Sequence, residues 1–232
     1  MELRHITIGG YPTSADDWTL CEWKLSDPQY RKNFITIPGL DGDLDLSDAV
    51  SDRAVYGSRT FTARLELSAG TRISRDALIS RLINKLDGTT QKIVLPDDPY
   101  HYISGRVSIG KKYSTPAHAC ITVSAICDPW RYCDTQKDIL LDSPNGYDEE
   151  SEEPTYTETP IENTGRMPVK PMFSAIGGDV IISPDGWFQY NISAGSRITI
   201  PDIILSPGDN ILMHCGDGED AQLRVQFREA IL

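Results

Sequence analysis

No stretch of the 232 residues approaches the roughly 20 apolar residues that a membrane-spanning helix needs. The opening Met1-Glu2-Leu3-Arg4-His5 lacks the basic and apolar regions of a secretion signal, so synthesis in a cytoplasm is expected. Cysteine is sparse and irregular. Cys21, Cys120, Cys127, Cys133 and Cys215 form an odd set, against the disulfide framework of small secreted domains. None of them falls in a C-x-x-C pair, and Cys127 and Cys133 stand six apart, which argues against zinc. Clustered Lys and Arg are missing too. Affinity for a phosphate backbone comes from such clusters, so sequence-specific nucleic-acid binding is not expected.

The signatures of catalysis are equally absent. There is no G-x-S-x-G elbow, no phosphate-binding glycine loop, no G-x-G-x-x-G and no H-E-x-x-H. The four histidines (His5, His101, His118, His214) are scattered. The residues therefore predict no catalytic group, no metal and no cofactor, and the chain reads as a protein that assembles with others.

What is present begins with charge. The net charge of −12 is concentrated in one place. Residues 1–133 balance 16 acids against 16 bases, whereas residues 134–163 carry ten acids and only Lys137. From Asp142 to Glu162 there is no Lys or Arg, and Pro144, Pro154 and Pro160 interrupt any period. Like charges repel and proline breaks regular structure, so this reads as an acidic linker or loop. It divides the chain into an N-terminal unit, 1–135, a linker, 136–162, and a C-terminal unit, 163–232.

Most of the remainder has period 2. Phe61, Ala63, Leu65 and Leu67 alternate with Thr60, Thr62, Arg64 and Glu66, and Ala119 to Cys127 and Leu223 to Phe227 repeat the pattern. Shorter β-like runs, among them 34–37 and 187–192, are punctuated by Asp-Gly and Pro-Gly turns. One segment differs. Ser74 to Asp87 places Leu78, Ile79, Leu82, Ile83 and Leu86 on one helical stripe, with Ser74 as the expected N-cap and Gly88 past the C-terminus. The predicted fold class is all-β with one packed α-helix, built as two β-sandwich units.

Two clusters invite a chemical reading. Asp41, Asp43 and Asp45, with Asp48 and Asp52, have spacing that can wrap Ca²⁺. An EF-hand loop, however, needs Gly sixth and Glu twelfth, where this chain has Leu46 and Asp52. Solvated aspartates on a short strand are the simpler reading. Trp187, Phe188 and Tyr190 offer rings for stacking on sugars, although strand alternation would send Trp187 to the face opposite the other two and place one side in the core.

The run Ile35-Thr36-Ile37-Pro38-Gly39-Leu40-Asp41-Gly42-Asp43-Leu44-Asp45-Leu46 precedes Tyr56-Gly57-Ser58-Arg59 and a long strand. After the helix come Lys92-Ile93-Val94-Leu95-Pro96-Asp97-Asp98, Tyr102-Ile103-Ser104-Gly105-Arg106-Val107 and Cys127-Asp128-Pro129-Trp130. The C-terminal part adds Glu162-Asn163-Thr164-Gly165, Pro168-Val169-Lys170-Pro171, Leu205-Ser206-Pro207-Gly208-Asp209-Asn210 and Val225-Gln226-Phe227-Arg228-Glu229. In order and spacing this resembles the distal tail protein family of siphophages.

The resemblance implies a homo-hexameric ring at the tip of the phage tail. The N-terminal sandwich, helix and hairpin would build the ring, with a galectin-like or carbohydrate-module-like sandwich outside it. Implied partners are the tail tube protein, a tail-associated lysin-like or tail spike protein, and receptor-binding or baseplate proteins. The implied location is the virion, after synthesis in the host bacterial cytoplasm, with DNA passing through the ring. Two departures stand out: the second unit is too short for an extended arm, and the acidic loop has no family counterpart.

On this reading Gly39, Asp41, Gly42, Leu44, Leu46, Tyr56, Gly57 and Arg59 are candidates for ring or tube contacts. Trp187 and Tyr190 are the candidates if the protein is instead a glycan-binding module engaging host wall polysaccharide. A wall or capsule hydrolase is the third reading, and would need paired carboxylates in a cleft.

Overall fold

The computed structural model describes residues 5–49, 53–146, 154–218 and 220–232. Two compact units make up the chain. One runs to Arg131 and takes back Leu232; the other is Tyr132–Ile231. The second unit thus starts before the acidic stretch, and residues read as linker contribute strands to it.

The first unit contains β1 (Thr7–Ile8), β2 (Tyr11–Pro12), β3 (Thr19–Leu25), β4 (Phe34–Thr36), β5 (Asp43–Asp45), β6 (Arg59–Leu67), α1 (Arg72–Leu86), β7 (Thr90–Leu95), β8 (Asp98–Ser114) and most of β9 (Ala119–Cys133). Its main strands join in the single order β2-β1-β7-β8-β9-β6-β3, rather than in two separate sheets. In β6 the period-2 pattern settles the facing: Phe61, Ala63, Leu65 and Leu67 are buried, opposite Ala125, Val123, Ile121 and Ala119 of β9. A one-residue slip would turn every one of these side chains to solvent, so burial fixes the register.

Ile79, Leu82 and Leu86 of α1 complete that core, and Leu78 and Ile83 flank it half-buried. The helix starts earlier than Ser74. Thr71 is the N-cap: its hydroxyl accepts the Ser74 N–H at 3.3 Å, and the Ser74 hydroxyl donates back to the Thr71 carbonyl at 2.8 Å. Both residue types cap helices; Thr71 takes the role because Arg72 and Ile73 already have helical backbone. Gly88, at φ 73°, ends the helix as expected.

The second unit consists of the end of β9, β10 (Lys137–Asp142), β11 (Thr157–Asn163), β12 (Met172–Ile176), β13 (Asp179–Ser183), β14 (Tyr190–Ile192), β15 (Arg197–Thr199), β16 (Gly208–Asp217), β17 (Gln222–Phe227) and β18 (Ala230–Ile231). Two four-stranded sheets, β10-β17-β12-β15 and β11-β16-β13-β14, face each other. Phe173, Ala175, Leu223, Val225 and Phe227 of the first meet Ile161, Val180, Ile182, Ile192 and Leu212 of the second in one core. β10 and β11 tolerate acids because their acidic side chains point out: Ile139 and Leu141 pack inward, whereas Asp138 and Asp142 are exposed. Of the acidic stretch, 147–153 lie outside the described residues. Among the described residues the fold is all-β with one α-helix.

Candidate assembly surfaces

β4 and β5 pair only with each other, Ile35 opposite Leu44, and make a hairpin that joins none of the three larger sheets. Every residue from 31 to 45 is exposed, although the hairpin carries Phe34, Ile35, Ile37, Leu40 and Leu44. A monomer seldom leaves five large apolar side chains in water on one short element, and such a patch marks a surface for a partner. Gly39 and Gly42 take φ of 90° and 84° at its tip, a conformation that other residues resist.

The aspartates serve the hairpin itself. Asp43 accepts the Thr36 hydroxyl at 2.7 Å, and Asp48 accepts the Tyr30 hydroxyl at 3.1 Å. Asp45 accepts the Ser47 N–H at 2.9 Å; the side chain and backbone of Ser47 hold its carboxyl below the usual range. Asp43 and Asp48 are engaged across the hairpin and Asp45 two residues along the chain, and the three do not converge on a common centre. Asp52 lies outside the described residues.

The base of the hairpin is anchored differently. Backbone bonds run from Arg31 N–H to the Val55 carbonyl and from Gly57 N–H to the Gln29 carbonyl, each 2.8 Å. Tyr56 stands edge-on between Tyr30 and Trp130, at centroid distances of 6.1 and 5.9 Å. Arg59, singled out as a contact residue, is only 6% exposed. Its Nε donates to the Ser26 carbonyl at 2.8 Å and Nη1 to the Pro129 carbonyl at 3.5 Å, so it braces the root of the loop.

The candidates therefore separate into three kinds. Gly39, Asp41, Gly42 and Leu44 lie on the exposed hairpin; Leu46, Tyr56 and Gly57 are half-buried at its base; Arg59 is inside. Phe34, Ile35, Ile37 and Leu40, exposed on the same hairpin, were not among the candidates. The available signal was an apolar run, Phe34-Ile35-x-Ile37, that breaks the alternation of a half-buried strand.

In the second unit Trp187 is 87% exposed and Phe188 is exposed beside it. They sit in a turn rather than on a strand, because Asp185 Oδ1 accepts both their N–H groups at 2.9 Å. Strand alternation therefore does not apply to them. Tyr190, at the start of β14, packs partly on the core and donates its hydroxyl to Asp202 at 2.6 Å.

No protein-family profile and no curated protein matches this chain. Among solved structures it is similar to the crystal structure of SPP1 Dit, described as a paradigm of the hub adsorption apparatus in phages that infect Gram-positive bacteria. Identity is 15%, the TM-score is 0.65, and the match covers 98% of this chain and 99% of that one. The likeness therefore spans both units. This chain has the fold of the phage distal tail protein SPP1 Dit.

Proposed function

We propose that the protein is a non-enzymatic structural subunit of a bacteriophage tail tip. Six copies close into a ring that joins the tail tube above to tail-associated and baseplate proteins below and lets DNA pass. The fold likeness over essentially the full length of both chains carries this reading. The hairpin supports it: a ring needs two unlike, complementary patches on each subunit, and an exposed apolar finger is one such patch. The edge strands β2 and β3 of the first unit's sheet offer backbone for pairing with a neighbour. Gold-labelled antibodies against the protein, applied to intact particles, should decorate the end of the tail tube. Decoration of the capsid, or labelling only of infected-cell lysate, would overturn the assignment.

One observation favours a second activity on the same scaffold. The exposure of Trp187 beside Phe188 is that of a stacking platform for wall polysaccharide, with Tyr190 near by in sequence. Binding to purified host wall glycans that is lost in Trp187→Ala, with assembly intact, would establish it; equal binding by the variant would exclude it.

A further inference from the structure

One buried group in the second unit serves neither surface. His214 of β16 is completely buried, and both its ring nitrogens meet hydroxyls. Nδ1 lies 2.9 Å from Ser143 Oγ, and Nε2 lies 2.9 Å from Thr159 Oγ1. Ser143 directly follows β10, an edge strand of one sheet; Thr159 belongs to β11, an edge strand of the other. The imidazole thus ties the two sheets of the sandwich together at their edges.

The backbone around it is closely fitted. Ser143 N–H donates to the Ala221 carbonyl at 2.9 Å, Gly216 N–H to Pro144 at 3.0 Å and Thr155 N–H to Gly146 at 2.8 Å. A Cβ on Gly216 would stand 2.2 Å from the Ser143 carbonyl oxygen, and one on Gly146 would stand 2.1 Å from that of Thr155. The two glycines thus bring the backbones on either side of the imidazole into close contact.

Among the described residues, no counter-charge faces the ring. Asp142, Glu158, Asp217 and Asp220 on the adjoining elements are exposed, and Asp179, half-buried, accepts the Ala194 N–H at the far end of β13. The neighbouring Cys215 thiol and Tyr156 phenol are both pushed up by burial and stay neutral. Asp148, Glu149, Glu150, Glu152, Glu153 and Glu219 lie outside the described residues. Burial alone pulls the His214 imidazole below its usual range.

We propose that His214 is an acid-sensitive latch. Neutral, it holds Ser143 and Thr159 together across the sandwich; protonated, it carries a buried charge that two hydroxyls do not neutralise and leaves the core, loosening the β10–β11 side. The sign follows from linkage. A histidine that is harder to protonate in the folded state stabilises that state fully above the unfolded value, roughly pH 6.5, and the stabilisation is lost as pH falls from there.

Long-range ¹H–¹⁵N spectra of the full chain report the ring's protonation, and amide exchange at 141–146 and 155–161 reports opening. Protection at these amides, corrected for intrinsic rates, should fall about tenfold per pH unit below roughly 6.5. In a folded His214→Gln variant, which keeps a hydrogen-bonding side chain but cannot titrate there, protection should be independent of pH. Constant protection between pH 7.5 and 5 in the wild type, or an equal fall in the variant, overturns the latch. If His214→Gln does not fold, the first unit of the wild type is the control. A parallel fall in β6 and β9 overturns the proposal, and a fall confined to the second unit upholds it.

Discussion

Arg75 stands on the same stripe of α1 as Ile79, Leu82 and Leu86, and only 1% of it is exposed. Its guanidinium donates to the carbonyls of Gly70 at 2.7 Å, Thr115 at 2.8 Å and Pro116 at 2.7 Å, fastening the helix start to the turn between β8 and β9. Replacement by Met keeps the stem and leaves all three carbonyls without this donor. Arg75→Met should cost about 3 kcal/mol in urea unfolding; a loss below about 1 kcal/mol would contradict the role. Arg59 is a second internal brace, so its charge reversal would test folding and not assembly. Glu229 couples stability to pH. Burial pushes its carboxyl up, but hydrogen bonds from the Thr164 N–H and hydroxyl, with Lys137 at 3.0 Å, outweigh that and hold it below the usual range. Its contribution is complete above the ordinary carboxylate value and is lost as pH falls through and below about 4.3. Thermal midpoints of the second unit should drop there, and less steeply in Glu229→Gln.

At the scale of elements, much was legible in the sequence because burial repeats with the period of the backbone. The strand at 60–67 and the helix stripe both follow from that repetition; the structure places the strand within a residue and buries Ile79, Leu82 and Leu86 of the stripe. The helix start was not legible: Thr71 and Ser74 are both good caps, and only backbone geometry chooses between them. Thr71→Ala should cost about 1 kcal/mol of stability, and Ser74→Ala less, by urea titration of both variants. β10 was hidden by the acids around it, since charge marks a segment as solvent-facing without saying whether its alternate residues pack. Trp187 and Phe188 were read as strand residues because their turn depends on one Asp185 side chain. In the hairpin, sequence order pointed to the loop, but the exposure of Phe34, Ile35, Ile37 and Leu40 depends on β4 and β5 pairing with nothing else. Leu40→Asp should therefore leave monomer stability within about 0.5 kcal/mol and still abolish association. Unfolding the monomer would contradict it.

As a whole, the molecule keeps its balanced charge and its unpartnered apolar finger in one unit and its excess of acids in the other. A unit with near-zero net charge approaches copies of itself without long-range repulsion, and the finger supplies area that only contact can bury. Such association is weak until several contacts close together, so concentration decides which state is seen. The decisive measurement is the solution mass of the concentrated protein by light scattering, with negative-stain images of the same sample. The account predicts an annulus of six 25.8 kDa chains, about 155 kDa in all, that reverts to single chains in Leu40→Asp. A wild-type protein that stays at 25.8 kDa at the highest attainable concentration, or a Leu40→Asp protein that still forms the annulus, would contradict it.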